Sequence, residues 1–319
     1  GTTEEVHRLW KAVDRPNVMV KIPGTKEGLP AIRDALAGGI SINITLLFSV
    51  DRYHEVMDAW FEAMETRVSK GEYVVRIFSV ASFFVSRVDS KVDARLHERL
   101  DAAESEAERE RIQGLLGKIA VDNARIAWAA HEERFASERF AALAGAGAMT
   151  QLPLWASTST KNPDYPDVYY VEALIAPGTV NTLPVDTLDA YRDHGDPAVR
   201  IHEDLAGARE RLDALAAVGV DLAGVTRGLE EEVRFAFETA GASSQRHEPH
   251  VLFERPVQEI RPNERAASTG VRTRSDACSI GESRRSQRRQ RSPRRDRGSK
   301  RRSPVRRPEP TSHRPDASN

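Results

Sequence analysis

Residues 17–24 read Asn-Val-Met-Val-Lys-Ile-Pro-Gly. An apolar, β-favouring run stopped by a Pro-Gly pair predicts a short buried strand over 17–22. Residues 40–48, Ile-Ser-Ile-Asn-Ile-Thr-Leu-Leu-Phe, predict a second strand. The segment between them, 26–38, has room for a short helix that ends at Gly38-Gly39. Strand, helix and strand in such close order make a βαβ unit, the building block of a parallel sheet.

The pattern extends in both directions. Upstream, residues 2–14 predict a helix: Thr2 and Glu5 have capping-box spacing, Val6, Leu9, Trp10 and Val13 form one face, and Pro16 stops it. Downstream, Tyr53, Val56, Met57, Trp60, Phe61 and Met64 form an apolar stripe on a helix over 51–67. A third strand is predicted at about 74–85, and a long helical region at 91–144 whose charged stretch, 98–111, reads as solvated. Strands follow at about 151–157 and 168–176, then helices at 185–193, 203–218 and 224–240. Five strands fall short of the eight in a (β/α)₈ barrel, so strand count alone favours a doubly wound sheet. Neither a GxGxxG nor a P-loop sequence follows the first strand, which removes the usual nucleotide-binding version of that fold.

Charge divides the chain. Residues 243–319 carry 20 Lys+Arg against 9 Asp+Glu, a net of +11, whereas 1–242 carry a net of −12 within the overall −1. All four Trp and all six Tyr lie in the first part. Residues 1–242 therefore form the expected globular domain. Residues 243–319, rich in Arg, Ser and Pro, have too few apolar side chains to offset ordering entropy and form an expected disordered tail. Arginine clusters attract polyanions such as RNA, but no aromatic follows Phe253, so bases have no stacking platform. Specific nucleic-acid binding is not expected, only non-specific contact through the tail. Text of this composition also resembles GC-rich DNA read out of frame. The single cysteine, Cys278, excludes an intrachain disulfide and any multi-cysteine metal site. No apolar run reaches membrane-spanning length and no basic segment precedes an apolar one as in a secretory signal, so the expected compartment is the cytoplasm.

Polar residues interrupt the apolar strands where α/β folds place their sites. Lys21 is bracketed by Met19, Val20 and Ile22. A desolvated lysine is a nucleophile able to condense with a ketone, although a strand-end lysine can equally snorkel to solvent. Asn43 and Thr45 share a strand face. Ser82 and Arg87 could form a phosphate pair, a hydroxyl beside a charge-assisted fork; Arg87 alone would suit a surface ion pair. Ser157 closes the fourth strand, and Lys161 lies in the loop beyond it.

Several motifs, in order, resemble the transaldolases. They are Val-Met-Val-Lys-Ile-Pro-Gly-Thr-Lys-Glu-Gly-Leu at 18–29, Ser-Ile-Asn-Ile-Thr-Leu-Leu-Phe-Ser at 41–49, Ser-Val-Ala-Ser-Phe-Phe-Val-Ser-Arg-Val-Asp at 79–89, Leu-Trp-Ala-Ser-Thr at 154–158, and Tyr-Val-Glu-Ala-Leu-Ile-Ala-Pro-Gly-Thr-Val-Asn-Thr-Leu-Pro at 170–184. The resemblance covers about residues 1–235, and the long insertion before the fourth strand is similar to the longer bacterial members.

The resemblance implies a (β/α)₈ barrel rather than a doubly wound sheet. It also implies transfer of a dihydroxyacetone unit between sugar phosphates in the pentose phosphate pathway, with no cofactor and no metal. Lys21 would be the Schiff-base lysine. Asn43 and Thr45 would hold substrate hydroxyls or a water, Ser82 and Arg87 the phosphate, with Ser157 lining the pocket and Lys161 as a second basic ligand. The implied partners are sedoheptulose 7-phosphate, glyceraldehyde 3-phosphate, fructose 6-phosphate and erythrose 4-phosphate, without a membrane. Another lysine-dependent aldolase of the same fold is the alternative enzyme, and a polyanion binder acting through the tail the alternative of another class. The family's lysine strand is its fourth, so the chain is expected to hold strands four to eight of an incomplete barrel. The family's catalytic aspartate and glutamate would lie before Gly1, and activity would be impaired.

Overall fold

The computed structural model describes residues 1–244, with side chains as far as Phe235. The tail expected at 243–319 lies almost wholly outside the described residues.

Five parallel strands form one sheet, β1 (Val20–Pro23), β2 (Ile42–Leu47), β3 (Ser79–Phe84), β4 (Leu152–Ala156) and β5 (Val180–Asn181), in the spatial order β1-β2-β3-β4-β5. Spatial order follows chain order without a reversal. A doubly wound sheet needs a reversal to place helices on both faces. Because parallel crossovers are almost always right-handed, a monotonic order puts every connecting helix on the same face, as in a barrel wall. This removes the doubly wound reading that strand count favoured. Among the described residues β1 pairs only with β2 and β5 only with β4, so the wall has two edges and does not close.

The helices are α1 (Thr2–Val13), α2 (Leu29–Ala37), α3 (Val50–Ser69), α4 (Ser86–Ala102), α5 (Glu106–Gln113), α6 (Ile119–Phe135), α7 (Glu138–Gly145), α8 (Tyr169–Ala173), α9 (Val185–His194), α10 (Leu205–Ala217) and α11 (Leu222–Ser244). Helix α3 starts where the Ser49 hydroxyl accepts from the Arg52 N–H, and it buries the stripe read from the sequence, Tyr53 through Met64. Trp60 meets Phe61, Phe135 and Phe140 there, joining α3 to α6 and α7. The helical region 91–144 divides among four helices, α4 to α7. Ser105 caps α5 and Ser137 caps α7, and these short hydroxylated breaks reset the chain direction.

Two expectations need correction. Residues 168–176 are not a strand. Tyr170, Val171, Ala173 and Leu174 are buried, a one-sided spacing that suits a helical turn; the first three lie in α8 and Leu174 caps its end. The fifth strand is β5, only two residues long. In α1 the apolar stripe is only partly covered: Val6 is buried, but Leu9 is 37% and Val13 47% exposed. Helix α1 packs chiefly on α2 and β1, at the sheet edge, so the far half of its stripe meets solvent.

Below the sheet, the ring Nε2 of buried His131 lies 2.7 Å from the Gln151 carbonyl, and the Gln151 amide donates to the Ser79 hydroxyl at 3.0 Å. The other ring nitrogen faces Glu132 at 3.4 Å. Burial outweighs the pull of these acceptors and holds the imidazole pKa below its ordinary value. With the folded pKa depressed, the unfolded chain takes up a proton first on acidification. The His131 contribution to stability should therefore fall as pH drops from about 6.5 through the folded value. Asp89, whose carboxyl burial raises to about 7, contributes the opposite slope over the same range, so the test is a difference: between pH 8 and 5 the urea midpoint of the parent should lose more toward acid than that of His131→Gln. An equal slope in both proteins would show that His131 does not carry it.

Candidate active site

The period of two gives each strand two unlike faces. Ile22, Ile42, Ile44, Phe83 and Trp155 point under the helices and belong to the main core. The opposite face is layered. Val80, Leu154 and Ala156, with Met19, Phe84, Leu152 and Val180 against them, form a second, small apolar cluster. This is the floor on which the polar residues stand.

Lys21 of β1 is directly in register with Asn43 of β2, and the register puts both on this inner face. Lys21 is exposed, and its amine has neither a hydrogen bond nor an ion pair among the described residues. Ser82 of β3 donates to Asn43 Oδ1 at 2.8 Å, which turns the Asn43 amide nitrogen outward as a donor. Thr45, next along β2, is buried and its hydroxyl has no partner among the described residues. Such an orphan costs about 1–3 kcal/mol, which a site can recover by binding a hydroxylated ligand. It sits beside an irregularity in the β2–β3 register at Leu46, whose φ is +66°.

Ser157, with φ +57°, ends β4 and places its hydroxyl 3.0 Å from that of Ser86. Arg87 follows in the first turn of α4, exposed, with its guanidinium carbon 5.7 Å from the centre of the Phe84 ring. Lys161 is also exposed and donates to Ser159 at 2.6 Å. Thus Lys21, Asn43, Thr45 and Ser82 share one surface. Ser157 and Arg87 stand at its rim, and Lys161 hydrogen-bonds to none of the other six.

No strand position on the inner face bears a carboxylate. Among the described residues no three His, Cys, Asp or Glu side chains converge as a metal site, and no helix is long and apolar enough to cross a membrane. A cavity of about 600 Å³ lies at the ends of β1 and β2, lined by Pro23 and Leu46, between the 23–28 loop and α11. Its cations Lys26, Arg52, Arg227 and Arg234 are interspersed with the carboxylates Glu27, Glu230 and Glu231, and Arg52 already faces Glu230 at 3.6 Å.

A family model, Transaldolase/Fructose-6-phosphate aldolase, matches residues 1–245. The chain belongs to this family. It is 53% identical over 234 residues to a transaldolase of Thermobifida fusca, a match covering 72% of this chain and 61% of that relative. It is 52% identical over 231 residues to a transaldolase of Mycolicibacterium smegmatis, covering 72% and 60%. Against transaldolase 1 of Streptomyces avermitilis it is 50% identical over 245 residues, covering 75% and 62%. The chain thus spans about six-tenths of the length of these curated relatives.

For a transaldolase-family chain, sequence reading passed over Ser86, which ties Ser157 to α4, and the carboxylates Asp89 and Asp93, buried on the inward side of α4. The available signal was their i, i+4 spacing between Val88, Val92 and Leu96, where an amphipathic helix should carry apolar residues.

Proposed function

We propose that this chain carries the ketose-binding part of a transaldolase site, with Lys21 as the Schiff-base nucleophile. The observation that carries the reading is an unpaired lysine amine in register with Asn43, whose amide Ser82 orients. The Lys21 amine attacks C2 of the donor ketose phosphate, and loss of water leaves an iminium. Deprotonation of the C4 hydroxyl then breaks the C3–C4 bond, with the iminium as electron sink, and the aldose phosphate departs. The dihydroxyacetone enamine left on Lys21 attacks the acceptor aldehyde, and hydrolysis frees the new ketose. Asn43 and Thr45 hold substrate hydroxyls or a water. Arg87 takes the phosphate, while Ser82, whose single proton goes to Asn43, acts by orienting that amide rather than as the phosphate ligand expected from the sequence; Ser157 lines the pocket, and Lys161 adds positive charge. Sedoheptulose 7-phosphate and fructose 6-phosphate are the donors, glyceraldehyde 3-phosphate and erythrose 4-phosphate the acceptors, within the cytoplasmic pentose phosphate pathway. Among the described residues the inner face offers no carboxylate to move protons, and such help is typically worth 10²–10⁴-fold, so slow turnover is expected.

The test supplies fructose 6-phosphate with and without erythrose 4-phosphate. Transfer predicts sedoheptulose 7-phosphate only when acceptor is present; release of free dihydroxyacetone without acceptor would indicate an aldolase instead. Arg87→Ala should weaken fructose 6-phosphate affinity about tenfold or more, since a charge-assisted contact is worth about 1.5–3 kcal/mol. Unchanged affinity would remove Arg87 from the phosphate site.

A further inference from the structure

Three of the six tyrosines, Tyr165, Tyr169 and Tyr170, stand within six residues, just beyond the Lys161 loop. Their hydroxyls converge on one junction. Tyr170 donates to Asp89 at 2.9 Å, and Tyr165 donates to Asp93 at 2.9 Å. The other carboxylate oxygens of the same two residues accept from the backbone N–H groups of Ala120, at 2.6 Å, and Gly117, at 3.0 Å. Tyr169 donates to the Gly117 carbonyl at 2.9 Å. Gly117 has φ +69°, and a Cβ there would lie 2.6 Å from the Tyr165 ring. The turn before α6, helix α4 and the 165–170 segment therefore interlock through two buried carboxylates and one glycine. Burial pushes the Asp89 carboxyl up to about 7, so its charged form depends on the two donors it has.

The placement has a consequence for the site. Helix α4 begins with Ser86 and Arg87 and touches the segment after β4 at two points, Ser157 in front and Tyr165 and Tyr170 behind. The intervening loop, 158–164, is tied at both ends to the helix that bears Arg87. On its other side Thr158 is anchored to Asn181 and to the Thr182 carbonyl, at 3.0 and 3.3 Å, whereas a cleft of about 460 Å³ separates Ser159, Thr160 and Lys161 from the start of α9.

We propose that the Asp89–Tyr170 and Asp93–Tyr165 bonds, closed around Gly117, form a clamp that positions the Lys161 loop against the start of α4, so that both present positive charge to the phosphate of a sugar phosphate. The functional half of this proposal rests on the phosphate reading of Arg87. Asp89, Asp93, Tyr165 and Tyr170 are positioning residues and touch no substrate.

The test uses the full chain with Tyr165→Phe, Tyr170→Phe and Gly117→Ala, and Asp93→Asn as the conservative control. Amide exchange is followed over 158–164, and fructose 6-phosphate affinity is measured by calorimetry. Losing a hydrogen bond to a charged acceptor should speed exchange in the loop about tenfold in Tyr165→Phe. Exchange in β1–β3 should be unchanged, and fructose 6-phosphate affinity should weaken several-fold. Gly117→Ala should reproduce this by displacing Tyr165. Asp93→Asn should stay near the parent, because an amide can still accept from Gly117 and donate to the tyrosine oxygen. Loop exchange unchanged in both tyrosine variants would overturn the clamp. Faster loop exchange with unchanged affinity would overturn its positioning role. If Arg87→Ala leaves affinity untouched, the phosphate reading fails and the functional half falls with it, whereas the exchange result still decides the clamp.

Discussion

Replacing Lys21 with alanine will abolish the borohydride-trapped adduct with fructose 6-phosphate and leave the fold intact. Both halves follow from its position. Lys21 is exposed on an edge strand, its side chain away from the core that holds Val20 and Ile22. It has no hydrogen bond or ion pair to lose, so unfolding stability should change by no more than about 0.5 kcal/mol. The chemical effect is of another order. Alanine offers no amine to condense with the ketose, and borohydride makes a stable covalent adduct only by reducing the iminium that a lysine forms. Removing a covalent nucleophile cost on the order of 10⁶-fold in a hydrolase where it was measured. Lys21→Arg should be equally inert, because a guanidinium keeps the charge but stays protonated and does not condense. Adduct retained in either variant would mean that another amine is the nucleophile.

The second large effect is on assembly. The outer edges of β1 and β5 are unpaired among the described residues. Beside β1, helix α1 exposes Leu9 and Val13. At the opposite ends of the strands Tyr73, Val75, Phe78 and Met149 are also exposed, Tyr73 at 85%. An open strand edge beside apolar surface is a template for pairing with another chain. The 319-residue chain is therefore expected to sediment as dimers or larger species that grow with concentration. Leu9→Lys with Val13→Lys should weaken that association about thirtyfold or more, since together the two changes remove apolar burial worth more than about 2 kcal/mol. A chain that stays monomeric at 100 μM would show that these edges are protected.

The fold was legible where local chemistry and tertiary packing agree. The strands near 17, 40, 74 and 151 are apolar runs between Gly and Pro signals, and Tyr53 through Met64 is a long, one-sided stripe. The fifth strand was misplaced because β5 lies in Gly-Thr-Val-Asn-Thr, which carries no apolar run, while the richer Tyr-Val-Glu-Ala-Leu-Ile segment is consumed by α8. Strand count pointed to the wrong sheet class; the monotonic strand order decided it, and order is a long-range property that no local window contains. At the site, the alternation of Lys21, Asn43, Thr45 and Ser82 with core residues was readable from period two alone. The Asp89–Tyr170 and Asp93–Tyr165 pairs were not. Their partners lie 81 and 72 residues away, and within α4 an aspartate looks like any solvated charge.

The measurement that tests the central claim most directly is peptide mapping of the parent chain after borohydride reduction in the presence of fructose 6-phosphate. The account predicts one modified peptide, with the label on Lys21, and its loss when inorganic phosphate is added in excess as a competitor at the Arg87 site. Label on Lys26 or Lys161 instead, or no covalent label at all, would contradict it.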